Sequence, residues 1–224
     1  MTSPHGPQAA PDAPPDADVE CVHADAHLLV VVKPAGLLAV PGRGEAGRHH
    51  LAARVQRHWP DARVVHRLDQ ATSGLMLFAR GEAAQCALSA LFRERRVSKR
   101  YEAWVQGRID GDCGCVALPL AVDWPQRPRQ QVDCFRGKAS LTRWRVLARD
   151  GAAGSARTRL ELEPHTGRSH QLRVHLHALG HPIVGDALYA PERPAPRLLL
   201  HATELALVHP VAGQRLQWRH PAPF

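Results

Sequence analysis

The feature that most constrains the fold is a series of short apolar segments along the chain that have the pattern of β-strands. The segment "LLVVVKPAG" at Leu28–Gly36 is a continuous apolar run ended by Pro34 and Gly36, which is typical of a buried strand. The run "GLMLFA" at Gly74–Ala79 predicts a central strand. Further strands are predicted around Tyr101–Val105 and Thr142–Ala148, and in "TRLELEP", "RLLLHATELALVHP" and "RLQWRHP".

Three other segments have the spacing of helices. Leu51, Val55 and Trp59 recur every four residues, and Leu172, Leu176 and Leu179 mark a second helix that Gly180 would end. The third is an amphipathic stripe formed by Ala84, Ala87, Leu88, Leu91 and Phe92. Thr166 or Ser169 is a candidate cap for the helix at Leu172. Many strands, few helices and short connections predict an α+β fold with a mixed, mostly antiparallel central sheet flanked by helices and loops.

The domain organisation follows from composition. Residues 1–20 are rich in Pro, Ala and Asp and lack apolar periodicity, so we expect a disordered tail. Residues 21–224 have no second low-complexity break and predict a single domain. No apolar run approaches the ~20 residues that span a bilayer, and the N-terminus does not resemble a signal peptide. We therefore expect a cytoplasmic protein without a membrane partner.

The charge of the chain favours a polyanionic partner. Its formal net charge is +8, from 29 Lys and Arg against 21 Asp and Glu. Only Lys33, Lys99 and Lys138 are lysines, and the planar fork of arginine suits phosphates and bases. An inert basic surface, or the amino-acid usage of a GC-rich genome, would produce the same balance.

Cysteine and histidine patterns argue against a disulfide framework and do not favour a metal. Five cysteines are an odd number in a chain long enough to bury a core, and Cys113 and Cys115 are only two positions apart. One candidate metal site consists of four histidines near the helix at Leu172 and one aspartate: His170, His175, His177, His181 and Asp186. However, His175 and His177 would diverge by about 200° on a helix.

Two polar clusters carry the chemistry. In "VVHRLDQATSGLMLFAR", Asp69 lies between two apolar runs and before a Thr-Ser-Gly turn. It is either a turn aspartate or a carboxylate held at a strand edge beside a cleft. In the second cluster, His170, Arg173 and His177 share one helix face, away from the leucines. That face could meet a carboxylate from another element.

Four motifs resemble one family. "HRLDQATSGL" at His66–Leu75 and "PHTGRSHQLRVHL…GHPIVGD" at 164–186 are similar to the two long signatures of the RluA-family pseudouridine synthases. "KPAGLLAVPG" at Lys33–Gly42 and "KRY" at Lys99–Tyr101 resemble its shorter motifs. The resemblance covers roughly residue 22 to the C-terminus and includes no S4-like RNA-binding module. It is strongest to the short member that modifies both tRNA and 23S ribosomal RNA.

The resemblance implies a function. This family isomerises uridine within RNA without a cofactor, so the implied partners are stem-loops of tRNA and 23S ribosomal RNA, with no obligate protein partner. It assigns Asp69 as the catalytic carboxylate, Arg173 as its partner and Tyr101 as the aromatic over the uracil. An arginine would orient a carboxylate and favour its charged form. Whether the carboxylate attacks the base, attacks the sugar or stabilises a cationic sugar stays open.

We expect the same motifs to contact RNA. Arg67 is a candidate to fill the space left by a flipped uridine, although a phosphate contact or a surface position would also explain it. The expected RNA-binding residues are Arg67, His66, Thr72, Lys99, Arg168, His170, Gln171 and Arg43, and residues 40–44 should line the RNA face. Two alternatives remain: a basic RNA-binding protein without activity, and a metal-dependent hydrolase that uses the histidines.

Overall fold

The computed structural model describes residues 19–42, 49–152, 156–192 and 195–224, and these form three helices and twelve strands. The helices are α1 (Leu51–His58), α2 (Gly81–Arg93) and α3 (Gln171–Ala178). The strands of the first half are β1 (Glu20–Ala24), β2 (Leu28–Lys33), β3 (Ala62–Val64), β4 (Ser73–Arg80), β5 (Ser98–Gln106) and β6 (Cys113–Val116). Those of the second half are β7 (Leu120–Val122), β8 (Gln130–Val132), β9 (Thr142–Asp150), β10 (Arg157–Pro164), β11 (Leu200–Val208) and β12 (Arg215–Arg219).

Ten of these strands form one mixed sheet. Its order is β1-β2-β4-β11-β5-β10-β9-β6, with β3 and β12 added beside β4 and β11. Among the strands that the structure describes, only β4 and β11 pair in parallel, at Ser73 and His201. The predicted α+β fold with a mixed, mostly antiparallel sheet is therefore confirmed. The remaining pair, β7 and β8, forms a separate hairpin.

Strand β4 is apolar from Gly74 to Ala79 because both of its faces are covered. Met76 and Phe78 belong to a core cluster with α1, while Leu75 and Leu77 belong to a second cluster with α2. A strand with two buried faces has no solvent side on which to alternate polar residues. The continuous apolar run is thus the signature of a central strand, as predicted.

The third helix packs on the other half of the sheet. Leu172 and Leu176 of α3 belong to a third core cluster together with Leu160 and Leu162 of β10. Leu179 is the C-cap residue and is 38% exposed, so it lies at the edge of this contact. Gly180 follows with a φ of +81°, as expected of the residue after a helix C-terminus.

The structure corrects two predictions of local structure, the cap of α3 and the start of the fold. Neither Thr166 nor Ser169 caps α3: the N-cap is His170, in the left-handed region at φ 53°, without a side-chain cap. Thr166 Oγ1 instead donates to Gln171 Oε1 over 2.7 Å. At the N-terminus, Val19 is buried and Glu20 begins β1, so the fold starts before the predicted tail ends. Residues 1–18 of that tail lie outside the described residues.

Within the described ranges, no helix has the length and apolar character needed to cross a membrane.

Candidate active site

Asp69 lies in the loop that leads from β3 into β4. Thr72 N donates to Asp69 O over 3.1 Å, which folds the loop into a turn just before the strand begins. Gly74 follows at φ +113°, and a Cβ there would come within 2.4 Å of the Ala202 backbone. Glycine is therefore required where β4 and β11 approach each other. The Asp69 carboxylate is 27% exposed, so it is partly enclosed but reachable.

Asp69 lies where two cavities meet. One has a volume of about 560 Å³ and the other about 820 Å³. Both are lined by the loop around Asp69 and by the start of α3, through His170 and Arg173. The two cavities therefore form a cleft with the carboxylate at its middle, and the reading of Asp69 as a residue beside a cleft agrees with its position.

Arg173 connects Asp69 to a buried second carboxylate. Its Nη1 lies 3.7 Å from Asp69 Oδ2, while Nε and Nη2 donate to Asp186 over 2.8 and 2.7 Å. Arg173 is 4% exposed and Asp186 is 1% exposed. Burial alone would lower the pKa of Arg173, but the hydrogen bonds with Asp186 outweigh it and raise that pKa. The arginine is thus held charged and aimed at Asp69.

Tyr189 contacts the polar residues at the start of α3 and along it. Its hydroxyl lies 2.8 Å from His170 Nδ1, the guanidinium carbon of Arg173 lies 5.1 Å from its ring centroid, and the His177 ring lies 5.9 Å away. The three residues predicted to share a helix face therefore meet at one ring, although His170 is the left-handed N-cap residue and lies outside α3. Their common partner, Tyr189, is an aromatic residue that the sequence motifs did not identify.

Tyr101 forms part of the cleft wall from β5. It is half-buried, and it packs against two core clusters while also lining the smaller cavity with Asp69. Burial raises the pKa of Tyr101, and the Asp69 carboxylate raises it further. The phenol therefore stays neutral at physiological pH and can donate a hydrogen bond.

Lys33 is a residue whose position the sequence did not reveal. It is fully buried at the end of β2, and its Nζ donates to three carbonyls: Pro34 O at 2.8 Å, Leu37 O at 2.7 Å and Gln70 O at 3.0 Å. Burial lowers the pKa of Lys33 to about 8, although the charge of Asp69 opposes this. Lys33 ties the loop after β2 to the residue next to Asp69. The sequence offered two signals for it: Lys33 directly follows five apolar residues, and it opens the motif "KPAGLLAVPG".

Three of the expected RNA contacts place basic side chains along the cleft. Arg67 is exposed and lines both cavities. Lys99 lines the smaller cavity, and among the described residues its ammonium has no carboxylate or hydrogen-bond partner; burial lowers its pKa. Arg168 lines the same cavity and donates to Ala139 O at 3.3 and 3.4 Å.

Other expected RNA contacts are used inside the protein. His66 Nε2 accepts from Leu77 N over 2.9 Å, and burial, aided by Lys99, lowers its pKa to about 3. Thr72 is buried at 3% exposure, although it lines the smaller cavity. Arg43 and residue 44 lie outside the described residues, whereas Val40 and Pro41 do line the larger cavity.

The side-chain amide of Gln171 is hydrogen-bonded inside the protein. Its Oε1 accepts from Thr166 Oγ1 and from Arg168 N, and its Nε2 donates to Leu141 O and Thr142 Oγ1, all within 3.1 Å. The side chain is 4% exposed. Every hydrogen-bonding position of the side-chain amide is used within the protein, so Gln171 closes the loop before α3. The residue also borders the smaller cavity, and its contact with RNA stays a prediction.

The histidines considered for a metal have separate partners. His175 bonds Thr142 Oγ1 and Leu118 O, His181 bonds Gln106 O, and Asp186 bonds Arg173. In the described ranges, no three His, Cys, Asp or Glu side chains are arranged to hold a metal ion. The cysteines are separate thiols, and Cys113 and Cys115 lie exposed on edge strand β6.

This chain matches a known protein family and several relatives. The model of the RNA pseudouridylate synthase family matches residues 27–178. A Yersinia pestis protein named dual-specificity RNA pseudouridine synthase RluA is 46% identical over 206 residues, covering 91% of this chain and 98% of its own. The Escherichia coli K12 protein of that name is 48% identical over 208 residues, covering 91% and 93%.

Two solved structures have a similar fold. Human RNA pseudouridylate synthase domain containing 1 superposes with a TM-score of 0.78 at 30% identity, covering 95% of this chain and 87% of that one. Human RNA pseudouridylate synthase domain containing 4 gives a TM-score of 0.72 at 24% identity, covering 91% and 88%, which is a likeness of fold.

Proposed function

Because this chain belongs to the RNA pseudouridylate synthase family, we propose that Asp69 is the carboxylate with which it isomerises uridine, and that its substrates are stem-loops of tRNA and 23S ribosomal RNA. An RNA pseudouridine synthase is an isomerase. The bond between N1 of uracil and C1′ of ribose breaks, the base turns, and C5 bonds to C1′ while its proton moves to the nitrogen that was released. No atom is gained or lost, so the chemistry needs only acid-base and nucleophilic groups.

The position of Asp69 is the observation that carries this proposal. A partly exposed carboxylate at the meeting point of two cavities, 3.7 Å from a buried arginine, can approach a base or sugar that enters from the surface. The Arg173 charge keeps Asp69 oriented, and Asp186 keeps Arg173 in place. Attack on the base, attack on the sugar and stabilisation of a cationic sugar all begin from this geometry.

Tyr101 has the properties needed for the proton step. Its ring offers a flat face against which a uracil can stack, and its neutral hydroxyl can pass a proton between C5 and a base. Asp69 raises the pKa of Tyr101, so the two side chains interact electrostatically within the same cavity. We assign Tyr101 to holding the uracil and relaying its proton.

A uridine must leave its stack to reach Asp69. Flipping costs a few kcal/mol in a duplex and less in a loop, where bases are already partly unstacked. Arg67 is exposed, close to Asp69 in the chain, and borders both cavities, so it is placed to occupy the vacated position. These features favour loops over paired RNA.

The stem-loop substrates are proposed from the cleft and from the relatives. We propose that residues 21–224 act as one catalytic domain in the cytoplasm, without cofactor or obligate protein partner, and that the Asp69 cleft selects the RNA. The relatives from Y. pestis and E. coli are both named dual-specificity synthases. A cleft that reads a local loop shape accepts two RNAs when both present that shape.

The first test is Asp69→Asn with Asp110→Asn as its matched control. Asp110 is exposed and lies outside the cleft. We expect Asp69→Asn to fold and bind RNA but to form no pseudouridine in single-turnover assays, while Asp110→Asn behaves as wild type. Residual turnover above about a thousandth of the wild-type rate, a barrier change of only ~4 kcal/mol, would argue against the role of Asp69.

The second test concerns substrate. An anticodon stem-loop of ~17 nucleotides and a 23S fragment with a similar loop should both be modified, whereas a fully paired RNA of equal length should not. If only full-length 23S RNA reacts, or if the paired RNA reacts as fast as the loops, then the enzyme does not read a local loop shape.

A further inference from the structure

The β7–β8 hairpin presents an exposed tryptophan that the catalytic groups do not use. Trp124 is 67% exposed. The guanidinium carbon of Arg127 lies 3.3 Å from the centroid of its ring, so one face of the indole is covered. With two thirds of the residue exposed, the opposite face is open to solvent. A ring held in this way presents a flat apolar surface on which another planar group can stack.

The turn that carries Trp124 is ordered by its own hydrogen bonds. Asp123 N donates to Arg129 O over 3.0 Å, Gln126 N donates to Asp123 Oδ1 over 3.3 Å, and Arg129 Nη1 donates to Gln126 Oε1 over 2.9 Å. These bonds close the chain on both sides of the tryptophan. A ring that is held before binding loses little conformational entropy when a ligand stacks on it.

The same hairpin is a wall of the Asp69 cleft. Arg127 and Gln130 line the larger cavity together with Asp69 and Arg173. Gln130 N donates to the hydroxyl of Tyr189 over 2.8 Å, the tyrosine that contacts Arg173. The hairpin is therefore attached to the tyrosine that packs on the catalytic arginine, and Arg127 near its tip extends the cleft.

Additional contacts reinforce this attachment. Leu120 of β7 is buried against Val174 of α3 and against Tyr189. The guanidinium carbon of Arg129 lies 5.3 Å from the Tyr189 ring centroid. A group bound at the hairpin tip thus has a defined position relative to Asp69.

The chemistry of the tip fits a nucleobase. The tip and its flank carry Arg127 and Arg129, whereas the nearest acid in the chain, Asp123, is occupied by a backbone bond inside the turn. An open aromatic face beside arginines is the combination that binds single-stranded nucleic acid, because the base stacks and the cation attracts the phosphate. We propose that Trp124 is the stacking site for one unpaired nucleobase that neighbours the target uridine in the RNA loop. This inference rests on the proposed function, since it needs RNA in the Asp69 cleft.

The test is a double-mutant cycle between the protein and the RNA. Binding of a fluorescein-labelled anticodon stem-loop is measured by anisotropy in the Asp69→Asn background, so that the RNA stays unmodified. Each loop base other than the target uridine is replaced in turn by an abasic nucleotide. We expect Trp124→Ala to raise Kd about ten-fold. One abasic position should raise Kd similarly in the background protein but not in the protein that also carries Trp124→Ala. Trp124→Phe should retain most of the affinity.

Phe135 supplies the matched control. It is 98% exposed and follows the same hairpin, but neither it nor its neighbours line the cleft. Phe135→Ala should leave every Kd unchanged. If Trp124→Ala binds the intact RNA as well as the background protein does, or if every abasic position keeps its full effect in the variant, then the stacking site does not exist and the exposed tryptophan is left for a protein partner.

Isomerisation by the wild-type enzyme is measured separately on the same RNA. RNA that binds but is not modified would count against the proposed function, while the cycle would still report whether a base stacks on Trp124. RNA that is modified by an enzyme indifferent to Trp124→Ala would overturn only the stacking site.

Discussion

Asp186 holds Arg173 through two hydrogen bonds of 2.8 and 2.7 Å, and this leaves Nη1 of the arginine to face Asp69 at 3.7 Å. The Arg173–Asp186 pair is buried and structural. The Arg173–Asp69 pair is looser, and a substrate can reach it because the Asp69 side chain is partly exposed. Asp186 also accepts from the backbone nitrogens of Leu188 and Tyr189, so the second carboxylate is itself fixed. A bidentate clamp on one side of a guanidinium is an efficient way to aim its other side.

The clamp predicts that Asp186→Asn loses both stability and activity. The change leaves a buried arginine without its counter-charge, and breaking a buried pair from one side costs about 3 kcal/mol or more. Urea unfolding and single-turnover assays should both show the loss. Asp112→Asn is the control, because Asp112 pairs with Arg149 at the surface with its side chain 87% exposed. An Asp186→Asn enzyme with unchanged midpoint and rate would contradict the clamp.

Tyr101→Phe should separate binding from chemistry. The ring that we propose faces the uracil remains while the hydroxyl is lost, so RNA affinity should stay within a few-fold of wild type. Loss of a proton-transfer group typically costs about 100- to 10,000-fold in rate. Single-turnover rates and anisotropy on the same stem-loop measure the two effects. A rate within about three-fold of wild type would remove Tyr101 from the proton step.

Acid should destabilise the fold through two enclosed histidines. Burial lowers the pKa of His66 to about 3 and that of His201 to about 4. The unfolded chain takes up a proton at each near pH 6.5 while the folded chain does not, so the free energy of unfolding is fully retained above about pH 6.5 and falls as pH drops toward 4. Each histidine contributes up to about 1.4 kcal/mol per pH unit.

Denaturant titrations from pH 7 to pH 4 measure this slope. His66→Gln keeps a side chain that can accept a hydrogen bond but does not titrate, so it should make the slope shallower. The matched control is His49→Gln, since His49 is exposed. Equal slopes for wild type and His66→Gln would show that His66 is not held neutral by the fold.

RNA affinity should fall steeply with salt. Basic residues border the smaller cavity at the end of α2 and beyond, including Arg93, Arg95 and Lys99. Each phosphate neutralised on single-stranded RNA contributes about −0.7 to the slope of log K against log salt. We expect a slope of several units for wild type, reduced by about one for Arg95→Ala. Arg215→Ala on β12, outside both cavities, is the control. A flat dependence for wild type would rule out phosphate contacts as the main source of affinity.

Periodicity in the sequence determined most of the secondary structure. The apolar run of β4 and the stripe of α2 are local patterns, because burial on both faces or on one face leaves its mark residue by residue. The polar face of α3 was equally readable, since i, i+3 and i+7 positions align on any helix. Motif resemblance placed Asp69, Tyr101 and Arg173 in one site, and the structure brings their side chains to one cleft.

Only the tertiary structure decided which polar groups form hydrogen bonds inside the protein and which face the cleft. Lys33 bonds a carbonyl 37 positions away, and Gln171 bonds groups 29 and 30 positions away. No local pattern encodes such pairings, because they depend on where the sheet brings distant segments together. For the same reason the capture of Arg173 by Asp186, and the attachment of the Trp124 hairpin beside it, could not be inferred from spacing. A hydrogen-bonding side chain looks identical in sequence whether its partner is a backbone carbonyl or an RNA, and the three-dimensional packing alone determines which one it meets.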